Sequence, residues 1–161
     1  MKILITGGTS ATALKLLKTF SAHQVILADY GEVPSFSSAA YNLVSLGDRN
    51  DDTLAHTILN NCLDLAVDAV LPLQNYEIEA LAKAEVLFNE FNIEVLLPRQ
   101  EILEAYFTQG ENVKADEYVI FIQGEIIFST LENEFVALQG RGENLSGAYY
   151  FAHEKLYLIT I

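Results

Sequence analysis

Positive charge is what this sequence has least of. Nine Lys and Arg stand against twenty-two Asp and Glu in 161 residues, a formal charge of −13. Nucleic-acid binding depends on Lys and Arg neutralising phosphates, so the balance argues against a nucleic-acid partner. It argues equally against an anionic membrane surface. The shortage is not local: fourteen acids face six cations up to residue 106, and eight face three beyond it. Cys62 is the only cysteine, which excludes an intrachain disulfide and a multi-cysteine zinc site. It falls in a helical pattern with Leu59, Leu63 and Ala66 and reads as a buried thiol, because nothing nearby in sequence would activate it. His23, His56 and His153 lack metal-ligand spacing, so no metal site is expected. No apolar run reaches membrane-spanning length. The first apolar run, Ile3-Leu4-Ile5, is too short for a secretory signal core, and a cytoplasmic location is expected.

What the chain has is apolar mass. Hydrophobic residues make up 51% of it, enough to bury a core and to exclude an acidic disordered chain. Its length suits one domain with a small appendage. Residues 2–6 form a short apolar run closed by Gly7-Gly8, with Thr9 or Ser10 placed to cap a helix that carries Leu14, Leu17 and Phe20. Val25-Ile26-Leu27-Ala28 is the next run and ends at Asp29. Residues 30–40, with Gly31, Pro34 and three serines, read as a loop. Further strands are expected at 42–46, 68–73 and 93–97. Helices are expected after Asp51-Asp52, over Glu77 to Phe91, and after Pro98. Strands alternating with helices imply a parallel sheet, and nearly continuous apolar strands imply burial on both faces. Right-handed crossovers then give a doubly wound α/β fold.

The period changes near residue 108. Tyr118–Ile122 and Ile126–Ser129 flank Gln123-Gly124-Glu125, and Ala148–Phe151 and Lys155–Ile161 flank Ala152-His153-Glu154. Both read as hairpins. Glu134–Leu138 reads as a strand followed by a polar loop over 139–144. Residues 108–161 are thus expected to form a small antiparallel β subdomain after a first domain over 1–107.

The most informative motif is strand–Gly7-Gly8-Thr9-Ser10–helix. Glycine admits close approach, and free amides at a helix N-terminus favour anions. Asp29, ending the second strand, stands where an acid in a dinucleotide fold takes a ribose hydroxyl. The spacing departs from G-x-G-x-x-G, with Ala13 in place of a close-packing glycine, and any first strand–helix turn in such a fold uses small residues. No Gly-Lys-Ser/Thr follows, so this is not a P-loop. Gln74-Asn75-Tyr76-Glu77 follows the fourth strand and falls on the same rim. Glu77 can accept hydrogen bonds from a ligand or stabilise its own helix N-terminus. Arg99 ends another strand and suits a surface or ion-pair role. The candidate ligand-binding set is therefore Gly7, Gly8, Thr9, Ser10, Asp29 and Glu77. No catalytic residue is assigned, since neither a Gly-x-Ser-x-Gly elbow nor a Tyr-x-x-x-Lys pair is present.

Taken together, Ile3-Leu4-Ile5-Thr6-Gly7-Gly8, Val25–Asp29, Asp68-Ala69-Val70-Leu71-Pro72, Glu77–Leu81 and Val95-Leu96-Leu97-Pro98 resemble the N-terminal domain of ATP-grasp ligases of the carbamoyl-phosphate synthase large-chain type. The resemblance covers residues 1–107. It implies a Rossmann-like domain that precedes the nucleotide-binding grasp and contributes to the active-site wall. Such a ligase also needs a large α+β body that clamps ATP with lysines and holds magnesium. Fifty-four residues follow position 107, with Lys114, Arg141 and Lys155 as their cations. Glu117–Ser129 and Arg141–Ser146 are faintly similar to late strands of that body, and no catalytic residue is carried over from it.

Three functions compete. The first is a non-catalytic binding or accessory module related to ATP-grasp ligases. It would take a small-molecule or nucleotide ligand, or pair with a separate catalytic partner. The second is a short-chain NAD(P)-dependent oxidoreductase, suggested by Thr6–Ser10. The third is an assembly protein that homodimerises through its C-terminal sheet, because the apolar run Leu156–Ile161 needs cover. The sequence names no cofactor.

Overall fold

A computed structural model describes residues 1–34, 36–37 and 41–161. The serine-containing loop expected over 30–40 lies partly outside the described residues. The chain divides into two compact units, Met1–Val95 with Ile161, and Leu96–Thr160.

The first unit is built on a six-stranded sheet. Its strands are β1 (Lys2–Ile5), β2 (Gln24–Asp29), β3 (Phe36–Ser37), β4 (Tyr41–Ser45), β5 (Ala69–Leu71) and β6 (Glu94–Val95), in the order β3-β4-β2-β1-β5-β6. All neighbours are parallel except the short edge strand β3, which runs antiparallel to β4. Strand order reverses between β1 and β5. A Rossmann-like sheet opens its ligand crevice at such a point, at the carboxyl ends of the strands. Ile3, Leu4, Ile5, Leu27, Ala28, Ala69 and Val70 are wholly buried, as central parallel strands require.

Helix α1 (Ala11–Leu17) follows β1, capped by Ser10 Oγ accepting the Ala13 N–H at 3.1 Å. It buries Ala13 and Leu16, while Leu14 is exposed. The apolar face runs through Ala13 and Leu16, one position before the expected Leu14 and Leu17, and Phe20 is buried as expected in the 3-10 turn that follows (Lys18–Phe20). Helix α2 (Leu54–Asp64) buries the expected Leu54, Ile58, Leu59 and Cys62. The single helix expected over 77–91 is divided in two. A 3-10 turn (Asn75–Glu77) leads into α3 (Ile78–Lys83), which ends at Ala84, and α4 (Glu85–Glu90) restarts the path. At Ala84 the N–H is shared among the Ala80, Leu81 and Ala82 carbonyls. The break resets the apolar register, so Phe88 is buried while Val86 faces solvent.

The second unit carries a four-stranded antiparallel sheet, β7 (Glu117–Ile122), β8 (Glu125–Ser129), β9 (Gly147–Ala152) and β10 (Lys155–Leu158), ordered β10-β9-β7-β8. Both expected hairpins form. Gln123 and Gly124 in one, and His153 and Glu154 in the other, have positive φ, the backbone that matches a tight two-residue turn to strand twist. Residues 134–144 differ from the expected strand and loop. Glu134–Glu143 is helix α5, started by Asn133 Oδ1 accepting the Val136 N–H at 3.2 Å and ended by left-handed Asn144. A Cβ on Gly140 would fall 2.1 Å from the Phe121 ring, so this glycine lets α5 lie directly on β7.

Candidate functional site

The carboxyl ends of β1, β2 and β5 converge, and the side chains beyond them form one hydrogen-bonded cluster. Gly8 sits closest to the sheet. Its N–H donates to Ala28 O at 2.9 Å, and a Cβ there would fall 2.7 Å from the Ala28 nitrogen and 2.8 Å from Leu27 Cβ. Gly7 takes a φ of +63°, and a Cβ on it would strike the Ile161 side chain. Ile161 is placed by its own N–H, which donates to Leu73 O at 2.7 Å, and by its carbonyl, which accepts the Asn75 N–H at 2.9 Å.

Asp29 ties the glycine loop to β2. Its Oδ2 accepts the Thr9 hydroxyl at 2.6 Å and, more loosely, the Thr9 N–H at 3.4 Å. Its Oδ1 accepts the Tyr30 N–H at 2.9 Å and the Gln74 side-chain amide at 3.5 Å. Ser10 N donates back to Gly7 O at 2.9 Å. The amides of Gly8, Thr9 and Ser10 are thus engaged within the chain.

Glu77 lies deeper and is fully buried. Oε1 accepts Thr6 Oγ1 at 2.5 Å and Gln74 N at 3.1 Å, and Oε2 accepts the Tyr30 hydroxyl at 2.5 Å. Thr6 Oγ1 in turn accepts the Leu73 N–H at 2.8 Å. A buried carboxylate needs such partners to offset lost hydration. Here burial still outweighs them and pushes the carboxyl up to about 7. Glu77 also completes a capping box with Gln74, which gives physical content to its expected role at the helix start.

Tyr30 and Tyr76 border the cluster, their rings 5.8 Å apart, and the Arg49 guanidinium lies 3.5 Å above the Tyr76 ring. Arg49 is also paired with Asp51 at 2.8 Å. Burial, followed by the Glu77 charge, raises the Tyr76 hydroxyl to about 12.

The structure therefore gathers all six sequence candidates at the carboxyl ends of the strands, with Thr9 exposed, Ser10 and Asp29 half-buried, and Gly7, Gly8 and Glu77 buried. Thr6, Tyr30 and Gln74 complete the network and were not among the candidates. Thr6 carries a readable signal, as a hydroxyl ending an otherwise apolar strand. Tyr30 has none, because its partner is 47 residues away. Arg99 is exposed in the second unit, before a 3-10 helix (Gln100–Ala105). Cys62 is buried, and burial pushes its thiol up to about 12. Among the described residues, no group of three His, Cys, Asp or Glu is placed to hold a metal ion. Among them, too, no helix is long and apolar enough to cross a membrane.

A first strand closed by two glycines, an acid ending the second and a buried glutamate after the fourth parallel strand make the first unit a Rossmann-like domain. The chain belongs to the PylC-like N-terminal domain family, whose model matches residues 3–96. No curated protein sequence matches it. Among solved structures it is similar to glycinamide-RNase-transformylase T from Mycobacterium tuberculosis, at 10% identity and a TM-score of 0.51, over 99% of this chain and 70% of that one. It is similar to urea carboxylase from Kluyveromyces lactis at 12% identity and a TM-score of 0.51, over 99% of this chain and 19% of that one. The biotin carboxylase domain of a single-chain bacterial carboxylase aligns at 17% identity and a TM-score of 0.49, over 65% of this chain. This chain spans about a quarter of that domain's length (26%). At these identities the likeness is one of fold.

Proposed function

We propose that the chain is a non-catalytic ligand-binding or accessory module related to ATP-grasp ligases. Its site is the rim of Gly7, Gly8, Thr9, Ser10, Asp29 and Glu77, at the reversal of strand order. The observation that carries this reading is the hydrogen-bonded union of Asp29, Thr9 and Gln74, which pre-organises a half-exposed carboxylate at that crevice. The cation beside it, Arg49, is committed to Asp51 and Tyr76, and the loop amides are committed within the chain. Both facts favour a ligand recognised through hydroxyl or amino groups over a triphosphate held by lysines. In this reading residues 1–107 are the inherited pre-ATP-grasp domain and 108–161 its β subdomain. The module works in the cytoplasm, beside a separate catalytic partner where ligation is needed. Isothermal titration of the full chain with adenine nucleotides and with the standard amino acids tests it. Saturable binding of one probe, lost in Asp29→Ala, without release of ADP from ATP, supports it. Absence of binding by every probe, or steady ADP formation, overturns it.

A homodimer through the second sheet is favoured by a separate observation: β8 and β10 are its two edge strands, and Ile126 on β8 is exposed. The apolar side chains of Leu156, Leu158 and Ile159 are already buried within the chain, so pairing would proceed through backbone edges. A single monomeric species in light scattering at micromolar concentration would remove this reading.

A further inference from the structure

The donors around Glu77 divide unequally between its two carboxyl oxygens. Gln74 N is a main-chain donor and can only donate to Oε1. Thr6 Oγ1 accepts the Leu73 N–H and donates its own proton to Oε1. Oε1 thus carries two donors, one of them a main-chain N–H that cannot reverse, which leaves Oε2 the better placed oxygen to take a proton. Oε2 meets the Tyr30 hydroxyl at 2.5 Å, and a phenolic hydroxyl donates or accepts.

We propose that Glu77 and Tyr30 form a proton-controlled hydrogen-bond switch at the rim. With Glu77 as a carboxylate, Tyr30 donates inward to Oε2. When Oε2 takes one proton from solvent, the carboxylic acid donates to the Tyr30 oxygen. The Tyr30 O–H bond then rotates away from Glu77 and presents a donor at the half-buried edge of the site. No other bond is made or broken. The second state serves an oxygen acceptor on the hydroxyl-bearing ligand that the proposed function assigns to this rim, a reading on which this inference rests. The first state withholds that donor.

The surroundings place the exchange on Glu77 and near neutral pH. Burial raises its carboxyl most, and the Asp29 charge adds to the rise, against hydrogen bonds from Thr6, Tyr30 and Gln74. Tyr30 is itself pushed well above the ordinary tyrosine range, first by burial and then by Glu77, so it keeps its proton in both states. The charged and titratable groups facing the pair are Asp29 from the end of β2 and Tyr76 from the turn before α3. Arg49 lies over Tyr76 with Asp51 on its far side. From the first unit's last residue, the Ile161 carbonyl is held on Asn75 N.

The test is carbon-13 NMR of the full chain, labelled at the Glu side-chain carboxyl and at Tyr Cζ, from pH 5 to 9. Glu77 is assigned by its loss in Glu77→Gln, and Tyr30 by its loss in Tyr30→Phe. The expected result is a Glu77 carboxyl titrating near pH 7, with the Tyr30 Cζ signal moving at the same midpoint. In Glu77→Gln the amide NH₂ replaces the acid as donor. Tyr30 Cζ should then stay at the wild type's low-pH position throughout. Should that variant not fold, Tyr30→Phe serves instead. Removing a donor to the carboxylate should raise the Glu77 midpoint, a proton affinity several-fold higher. The proposal is overturned by any of three results: a Tyr30 signal that ignores the Glu77 titration, a Glu77 midpoint in the ordinary carboxylate range, or a Glu77 midpoint unchanged by Tyr30→Phe.

Discussion

The Thr9 hydroxyl donates to Asp29 Oδ2 at 2.6 Å, binding the turn after the first strand to the end of the second. The link crosses the mouth of the candidate site, so it governs how firmly that site is shaped. Asp29→Ala removes the acceptor of Thr9, the Tyr30 N–H and Gln74 together. At a half-exposed position the expected stability loss is about 1 kcal/mol, read by urea denaturation. Amide exchange at Thr9 and Tyr30 should quicken well beyond that seen elsewhere in the first unit. Unchanged exchange at both amides would show that the carboxylate does not organise the loop.

Glu77 gives stability a pH dependence of definite sign. Its carboxyl sits at 4.5 in the unfolded chain and at about 7 in the fold. Between those values the folded chain holds the extra proton. Its contribution is therefore fully present below pH 4.5 and lost as pH rises through 7, by roughly 3 kcal/mol. Denaturant midpoints measured from pH 4.5 to 8 should fall accordingly in the wild type. In Glu77→Gln this component of the fall should be missing. Parallel curves for the two proteins would contradict it.

Gly8 and Gly140 are close-approach glycines in different units. A methyl on either meets atoms at or under 2.8 Å, the β2 backbone for Gly8 and the Phe121 ring for Gly140. Gly8→Ala and Gly140→Ala should each cost about 1–3 kcal/mol through overpacking. Gly142→Ala is the control, because its Cβ meets nothing within 4 Å. Thermal denaturation should rank the control above both.

Cys62 should be inert in the native chain. It is buried, and its thiol, raised to about 12, holds little thiolate at pH 8. A thiol reagent such as 5,5′-dithiobis(2-nitrobenzoate) should react slowly with the folded protein and promptly in urea. Prompt reaction in the native state would place Cys62 at the surface.

Much of the first unit was legible because its strands are short apolar runs that stop at Gly or Asp, as at Gly7 and Asp29. The hairpins were legible because Gln123-Gly124 and His153-Glu154 are short polar interruptions between apolar runs. Helix α5 was not. Phe135, Val136 and Leu138 mimic a strand, and Gly140 and Gly142 mimic a loop. The deciding features are its ends, with the Asn133 cap, Glu134 in the first turn, Arg141 in the last and Asn144 in the left-handed region. At the site, local spacing revealed Gly7 to Ser10, Asp29 and Glu77. It could not reveal that Glu77 reaches Thr6 and Tyr30, since parallel strands separated by a reversal of order bring together residues far apart in sequence.

A binding rim without turnover of its own has a distinct signature in amide chemical-shift mapping. The full chain is titrated with ATP–magnesium and then with each standard amino acid, while ADP is monitored in the same tube. The expected result is saturable shifts concentrated at Gly7, Gly8, Thr9, Ser10, Tyr30 and Gln74 for one probe, with no ADP formed. Shifts confined to residues 96–160, no shifts for any probe, or continuous ADP release would contradict it.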